Sequence, residues 1–320
     1  LKVALVAPTG KAAARMAESL RNAAMDDAAR EKFGQLQPAT IHRLLKPVNG
    51  TPYFRHNSSN PLNYDVVIAD ESSMIDVALF AKLLDAIHPG TRLILLGDKD
   101  QLASVEAGSL FGDLCQALES NFFTAERRAF INSFLEDEQR RIPAGQERNN
   151  DSHPLFQHLV ELRHSHRFTG NRGIGKFSKA IINNDVPVIS SFFPPSADEQ
   201  VIIDPAASVK LFEDFIANYA AFIKEKDIAT ALKRLNAQRV LVAVREGPQG
   251  LYAVNRHIEK YLYDHKLIAA NTEFYENRPV ILTRNYYEHG LFNGDTGIIR
   301  ADENGALMAW FEDSSGALKA

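Results

Sequence analysis

Two short apolar runs, each followed by acidic residues, constrain this sequence more than any other feature. The first, residues 66–69, is followed directly by Asp70 and Glu71. The second, residues 93–96, is followed one position later by Asp98. Short runs of this kind are typical of strands that are buried on both faces of a parallel sheet. The sequence therefore predicts two neighbouring strands with carboxylates at their carboxyl ends.

The stretch between the two runs has the apolar spacing of a helix. Its apolar residues fall near a period of 3.6: Met74, Val77, Ala78, Phe80, Ala81, Leu83 and Leu84. Pro89 and Gly90 then end the predicted helix. The order strand, helix, strand places the carboxyl ends of both strands at one edge of a parallel sheet, which is the edge where ligands bind.

A carboxylate pair at such an edge suits nucleotide hydrolysis. One carboxylate can hold hydrated Mg²⁺ while the other accepts a proton from water. The alternative is a solvated Asp-Glu pair at the start of a helix, where acids suit the positive end of the dipole. The polar turn after the second run favours the first interpretation, since Gln101 in that turn could reach a terminal phosphate.

The same residues resemble two motifs of superfamily 1 helicases. DESSMID at 70–76 is similar to motif II, and GDKDQLASVEAG at 97–108 is similar to the long motif III of the RecD-like branch. The resemblance implies an ATP-hydrolysing, 5′-to-3′ DNA helicase with ATP and Mg²⁺ as cofactors. It also implies that Asp70 holds Mg²⁺ partly through water, that Glu71 is the general base and that Gln101 senses the γ-phosphate.

The amino-terminal stretch predicts a strand, a turn and a helix. Its TGK segment is not a phosphate loop, because Leu5 stands where the first glycine is needed and Ala12 where a hydroxyl is needed. A helix N-terminus with a lysine suits one backbone phosphate of DNA, and a plain strand–helix turn is the alternative. APTGKAAARM at 7–16 resembles motif Ia. That resemblance implies DNA contacts from Pro8, Thr9, Gly10 and Lys11.

TIHRLL at 40–45 resembles motif Ib. Thr40 is expected to cap the following helix, and the resemblance implies DNA contacts from Thr40, His42 and Arg43. For His42 a polar surface histidine is the alternative.

LRHSHRF at 162–168 resembles motif IV. The resemblance implies that Arg167 is an arginine finger for the γ-phosphate; a structural salt bridge is the alternative. Residues 241–259 resemble part of the second motor domain of the family. No role is assigned there to Arg245 or Asn255.

By this resemblance the fold is α/β, with two RecA-like parallel-sheet domains, both incomplete, and a small SH3-like β-barrel insert near the carboxyl end. The predicted divisions are a first motor domain at 1–125, a linker at 126–154, a second motor domain at 155–272 and the insert at 273–320. Residues 201–203 and 239–245 are predicted strands of the second domain. Short strands around a turn at 293–295 predict the barrel.

Two nucleotide-binding elements of the family are not found in the sequence. These are the phosphate loop that precedes motif Ia and the motifs that follow the second motor segment. We therefore expect this chain, as a fragment, to bind ATP weakly on its own and not to hydrolyse it.

Composition bounds the environment of the chain. The net charge of −4 gives no overall basic signature, so DNA binding would rest on a local groove. The single cysteine, Cys115, excludes an internal disulfide and indicates a reducing compartment, and its apolar neighbours predict a buried helical thiol. No apolar run reaches the roughly 20 residues that span a bilayer. We expect a cytoplasmic protein that does not contact a membrane.

The partners implied by the resemblance are single-stranded and duplex DNA, with RecB-like and RecC-like subunits of an exodeoxyribonuclease V in double-strand break repair and recombination. Two alternatives remain. One is a stand-alone RecD-like or relaxase-type helicase. The other is a catalytically silent DNA-binding subunit, which would not need to retain Asp70, Glu71, Gln101 and Arg167.

Overall fold

The computed structural model describes residues 1–101, 110–149, 152–162, 165, 168, 172–196, 198–269, 272–313 and 316–320. The chain divides into two compact units. Unit 1 consists of Leu1–Pro8 and Thr40–Ile203, and unit 2 of Thr9–Ala39 and Asp204–Ala320. The domain divisions expected from the resemblance remain a prediction.

The described residues form eight strands and twelve α-helices. The strands are β1 (Val3–Ala7), β2 (Ala39–Thr40), β3 (Val66–Ala69), β4 (Arg92–Leu95), β5 (Pro279–Ile281), β6 (Thr296–Ala301), β7 (Leu307–Glu312) and β8 (Leu318–Lys319). The helices are α1 (Gly10–Asn22), α2 (Asp27–Gly34), α3 (Ile41–Leu45), α4 (Val77–Ala86), α5 (Leu110–Gln116), α6 (Ala125–Asn132), α7 (Gly173–Ile182), α8 (Val186–Ser190), α9 (Val209–Ala217), α10 (Ala220–Ile223), α11 (Ile228–Asn236) and α12 (Leu251–Asp264).

The first sheet has the strand order β2-β1-β3-β4. Strand β3 pairs in parallel with β1 on one side and with β4 on the other. Its Val67 and Ala69 are fully buried. These pairings confirm the prediction of a mixed α/β fold with a parallel sheet.

Strand β4 lies at the edge of this sheet among the described strands. Its Ile94 is 37% exposed, and Leu96 just beyond it is 46% exposed. The expectation that the second apolar run is buried on both faces is therefore wrong. An edge strand has a neighbour on one side only, so fewer elements cover its side chains than cover those of β3.

The helix predicted between the two acidic strand ends is α4. Asp76 caps it, since its Oδ1 accepts a 2.8 Å hydrogen bond from the Leu79 N–H. The helix buries one face in the core of unit 1, through Leu79, Phe80, Leu83 and Ala86. Each large apolar side chain buried in this way stabilises the unit by about 1.5–3 kcal/mol. The helix that connects β3 to β4 therefore shares a core with Val67 and Ala69 of β3.

The second sheet belongs to unit 2 and has the strand order β5-β6-β7-β8, with antiparallel pairs throughout. Ile298 of β6 is fully buried and packs with the buried face of the surrounding helices: Ile216, Phe222, Leu232 and Leu262. The predicted antiparallel strands around the turn at 293–295 are confirmed. Closure into an SH3-like barrel remains a prediction.

Arg300 of β6 is buried and contacts the carboxyl end of α10. Its Nη1 donates to the carbonyl of Glu225 at 2.8 Å, and its Nη2 donates to the carbonyl of Phe222 at 2.9 Å. The last carbonyls of a helix have no partners within the helix, so the guanidinium satisfies them and attaches α10 to the second sheet.

Two predicted strands of the second motor domain are not strands in the structure. Residues 201–203 and 239–245 have no strand assignment, and Leu241 is 93% exposed. A parallel strand needs a neighbour for its backbone N–H and C=O groups, and none of the described strands pairs with either stretch. The described residues therefore contain one parallel sheet, and the expected second one is not formed by them.

Among the described helices, none has the length and apolar character that crossing a bilayer requires.

Candidate functional site

Backbone hydrogen bonds hold together the carboxyl ends of three parallel strands in unit 1. The N–H of Asp70, just after β3, donates to the carbonyl of Val6 in β1 at 2.9 Å. The N–H of Leu96 donates to the carbonyl of Ala69 at 2.8 Å, and the N–H of Ser72 donates back to the carbonyl of Leu96 at 2.8 Å. The two predicted acidic strand ends are thus joined at one sheet edge.

Glu71 turns the chain sharply at this edge. Its backbone is left-handed, with φ 51° and ψ 40°, and its N–H donates to Asp70 Oδ1 at 2.9 Å. Both acids are half-buried. Within the described residues, neither Asp70 Oδ2 nor the Glu71 carboxylate has a hydrogen-bond or ion-pair partner. The edge therefore offers carboxylate oxygens to a cation or a water.

A short 3₁₀ turn, Ser72–Met74, follows the acids. Ser72 is fully buried, and its Oγ donates to the carbonyl of Ala69 at 2.9 Å. Ser73 is also buried, and its Oγ has no partner among the described residues. The Ser72 hydroxyl thereby ties the turn to the end of β3, next to Asp70 and Glu71.

The donor set at this edge fits Mg²⁺ better than a metal that needs a closed protein cage. The described residues contain no cluster of three or more His, Cys, Asp or Glu side chains that could enclose a metal ion. Mg²⁺ usually keeps several waters and is held by one or two carboxylates together with substrate phosphates. Asp70, with one free carboxylate oxygen, suits that role.

The turn after β4 packs closely against the acidic edge. A Cβ on Gly97 would lie 3.0 Å from Phe111 Cε1 and 3.1 Å from the backbone nitrogen of Ser73. Asp98 Oδ1 accepts the N–H of Asp100 at 3.0 Å, and the Gln101 N–H donates to the Asp98 carbonyl at 3.3 Å. Gln101 is exposed at the end of this turn. Gln101 therefore ends the turn that follows β4, the strand paired with β3, whose end carries Asp70 and Glu71.

A cavity of about 480 Å³ opens beside this turn and is lined by residues 95–100 and 159–162 with Phe111, Cys115 and Ser120. Lys99 and Glu161 both line it, and Lys99 Nζ lies 2.8 Å from Glu161 Oε1. That hydrogen bond raises the pKa of Lys99 above its ordinary value. Cys115 lies in α5, as predicted, and is half-buried; burial raises the pKa of its thiol. Sequence reasoning missed Glu161, because the contact spans 62 positions and no local pattern marks it.

The residues of the motif Ib segment lie in unit 1. Thr40 is buried and caps α3, since its Oγ1 accepts the Arg43 N–H at 3.2 Å, as predicted. His42 and Arg43 are exposed on α3. The ring of His42 meets Phe54 edge-on at a centroid distance of 5.7 Å. Pro8 directly follows β1.

The other motif Ia residues lie in unit 2. Thr9 caps α1, because its Oγ1 accepts the Ala12 N–H at 3.1 Å. Gly10 packs against the ring of Phe292, so closely that a Cβ would clash. Lys11 Nζ lies 3.2 Å from Asp295 Oδ1 and 3.3 Å from the carbonyl of Gly294. The predicted phosphate-binding lysine is thus paired with a carboxylate of the turn before β6.

Arg167 lies outside the described residues, so its role as an arginine finger stays a prediction. Arg245 is exposed. Asn255 lines a cavity of about 340 Å³ in unit 2 with Arg239, Glu259 and Tyr275. Neither Arg245 nor Asn255 gains a role from these positions.

A family model described as an AAA domain matches residues 1–107. The chain is 32% identical over 323 residues to the RecBCD enzyme subunit RecD of Mycobacterium tuberculosis, covering 99% of this chain and 50% of that protein. It is 33% identical over 343 residues to the subunit of the same name from Haemophilus influenzae, covering 97% and 52%. An ATP-dependent RecD2 DNA helicase of Deinococcus radiodurans is 27% identical over 315 residues, covering 98% and 34%. The chain spans about half the length of the RecD relatives.

Among solved structures the chain is similar to the Pif1 helicase from Bacteroides in complex with ADP-AlF3 and single-stranded DNA. The identity is 15%, the match covers 99% of this chain and 69% of that one, and the TM-score is 0.36. A structure of Pif1 helicases on forked duplex DNA gives 17% identity, coverage of 99% and 65%, and a TM-score of 0.37.

Proposed function

Because this chain is a relative of the RecD subunits of RecBCD enzymes along nearly its whole length, we propose that it forms part of an ATP-dependent DNA helicase subunit of an exodeoxyribonuclease V. The proposed motor translocates 5′ to 3′ and acts in double-strand break repair and recombination in the cytoplasm. Its partners are RecB-like and RecC-like subunits together with single-stranded and duplex DNA.

The observation that carries the proposal is the carboxylate pair at the joined ends of β3 and β4. Asp70 would hold Mg²⁺ through its free oxygen and through water, and the ion when bound supplies charge neutralisation at the phosphates. Glu71 would accept the proton of the attacking water. Its left-handed backbone makes the amide after it part of the link to β4, so the base is fixed relative to both strands.

Two further residues would complete the nucleotide site. Gln101 ends the turn after β4 and would sense the γ-phosphate with its amide. Arg167, placed by the family resemblance alone, would neutralise charge that develops on the transferred group. A phosphoryl-transfer site works mainly through positioning and charge, so each of these residues should affect turnover more than nucleotide affinity.

DNA binding is proposed for the two segments that resemble motifs Ia and Ib. The N-terminus of α1 at Thr9 and Gly10, with Lys11, and the start of α3 at Thr40, with His42 and Arg43, would bind backbone phosphates. Such contacts position a strand without reading its sequence, which is what a translocase on arbitrary DNA requires.

The experiment is ATP turnover by the intact protein, with and without single-stranded DNA and with and without the RecB-like and RecC-like partners. DNA-stimulated turnover and unwinding of duplexes with 5′ tails, but not of those with 3′ tails, would support the proposal. DNA binding without turnover under every condition would favour the catalytically silent subunit. Full activity without partners would favour the stand-alone helicase.

A further inference from the structure

Lys99 at the tip of the turn after β4 contacts Glu161, far away in the sequence. The Lys99 ammonium donates to Glu161 Oε1 at 2.8 Å. The second oxygen of the same carboxylate, Oε2, accepts the hydroxyl of Ser120 at 3.4 Å. One carboxylate therefore bridges the turn that carries Gln101 to the start of the segment that follows α5.

The buried residue Asn121 binds the backbone of Leu159 and Glu161. Its Oδ1 accepts the N–H of Glu161 at 2.9 Å and its Nδ2 donates to the carbonyl of Glu161 at 3.0 Å. The Asn121 N–H also donates to the carbonyl of Leu159 at 3.0 Å. Asn121 is 8% exposed, and its φ of 64° is one that asparagine tolerates better than most residues. The carboxylate that Lys99 meets is thus held in a fixed position.

The opposite end of the contact is equally constrained. The turn closes on itself through the Asp98 carboxylate and carbonyl, and Gly97 packs against Phe111 and the Ser73 backbone. Moving Lys99 therefore moves Asp98 and Gln101 with it. Both partners of the ion pair are thus tied to their neighbours by hydrogen bonds or close packing, so a partly exposed ion pair can still fix the position of the turn.

We propose that the Lys99–Glu161 pair, held by Asn121, is a brace that positions the Asp98–Gln101 turn for nucleotide hydrolysis. The inference rests on the proposed function, and it makes Lys99, Glu161 and Asn121 positioning residues that do not touch the nucleotide. A loose brace would let Gln101 drift from the phosphate, and displacements of about 1 Å in such sites cost up to 10²-fold in rate.

Cys115 provides a readout of the brace that does not depend on activity. It is the single cysteine of the chain, and it lines the same cavity as Lys99 and Glu161. The charges of Lys99 and Glu161 also shift the pKa of the Cys115 thiol, in opposite directions, so the rate at which a thiol reagent labels Cys115 is compared per thiolate, from its dependence on pH. That rate should rise several-fold in Lys99→Gln and in Glu161→Gln, because either change releases the turn from the segment at 159–162. Lys99→Arg keeps the cation and its donors and should stay near the wild-type rate. Glu138→Gln, which removes an exposed ion pair elsewhere, is the matched control.

Steady-state kinetics on the intact protein then test positioning. In Lys99→Gln and Glu161→Gln we expect kcat for DNA-stimulated turnover to fall roughly tenfold while KM for ATP changes little, with recovery in Lys99→Arg. Equal labelling rates in all variants would reject the brace, and faster labelling with unchanged kcat would reject its role in hydrolysis. A wild type that never hydrolyses ATP would instead reject the proposed function, and the labelling rates would still decide whether the brace exists.

Discussion

The amide of Ser72 donates a 2.8 Å hydrogen bond to the carbonyl of Leu96. This bond joins the residue after the acidic pair to the last residue before the Gly97 turn. The N–H of Leu96 in turn donates to the carbonyl of Ala69. The chain is therefore hydrogen-bonded on both sides of Leu96 to the end of β3 and the segment that follows it. A substitution in the Gly97 turn should therefore also shift the acidic residues after β3, and a substitution at those residues should shift the turn.

Glu71→Gln should abolish turnover while the chain stays folded. The amide retains the size of the side chain but cannot accept a proton from water, and loss of a general base typically costs 10²–10⁴-fold, which we take as the approximate range here. ATP turnover by the intact protein with single-stranded DNA measures the effect, and nucleotide binding should persist. Glu138→Gln, on an exposed side chain, is the control. A Glu71→Gln protein with more than a tenth of wild-type turnover would assign the base to another residue.

Gly97→Ala should destabilise unit 1 by about 1–3 kcal/mol, the usual cost of forcing a methyl group into a packed site. The new Cβ would press on the Phe111 ring at 3.0 Å and on the Ser73 backbone at 3.1 Å. Urea unfolding followed by circular dichroism gives the difference. Gly145→Ala is the matched control, because Gly145 also lies in unit 1 and a Cβ there meets nothing within 4 Å. Equal midpoints for both variants would mean that the turn relaxes freely.

Arg300→Met should destabilise unit 2 by about 1–3 kcal/mol, the cost of leaving buried acceptors without a donor. Methionine fills much of the volume but removes the guanidinium donor from both carbonyls. The carbonyl of Phe222 keeps the N–H of Glu225 at 3.2 Å, whereas that of Glu225 has no other donor among the described residues. Arg256→Met, on an exposed side chain of α12, controls for the loss of a charge. An unchanged urea midpoint in Arg300→Met would indicate that water replaces the guanidinium at the end of α10.

The stability of unit 2 should fall as the pH rises above about 10, the ordinary pKa of tyrosine. Burial, aided by the hydrogen bond that Tyr275 donates to Glu259 at 2.8 Å, raises the pKa of Tyr275. The folded form then holds the proton more tightly than the unfolded form, so the contribution is complete below the unfolded pKa and is lost at higher pH. Urea unfolding between pH 8 and pH 11, as an approximate window around that value, should show a shallower decline in Tyr275→Phe. Identical slopes would assign the decline to other groups.

Asp295→Asn should strengthen binding of single-stranded DNA at low salt, and Lys11→Gln should weaken it. Asp295 now pairs with Lys11, and the amide removes that competing charge while its oxygen can still accept the N–H of Phe292. If Lys11 contacts one phosphate, its loss should reduce the slope of log affinity against log salt by about 1. Lys32→Gln, on the exposed side of α2, is the control. Unchanged affinity in both variants would remove Lys11 from the DNA-binding residues.

The acidic edge could be predicted from the sequence because each of its parts is local. An apolar run followed by Asp70 and Glu71 is visible within a few residues, and the run before Asp98 repeats the pattern. The cap at Thr40 was equally readable, since its side chain accepts the amide three residues ahead. Such a pattern is read within a few neighbouring residues and needs no knowledge of distant contacts.

Contacts between distant residues could not be predicted in this way. Nothing near Glu161 marks it as the partner of Lys99, and nothing near Lys11 indicates Asp295. The expected strand at 239–245 is wrong for a related reason. Its apolar and β-branched residues favour a strand only if a neighbouring strand is present to pair with it. The exposure of Leu241 shows that the described strands do not provide one.

The left-handed backbone of Glu71 sets stability and chemistry against each other at one position. A residue with a side chain costs roughly 1–2 kcal/mol in that conformation, whereas glycine adopts it freely. Glycine at position 71 should therefore make unit 1 more stable. Under the proposed function the same change would remove the carboxylate that accepts the proton, so the strain at this position belongs to the residue that turnover would need.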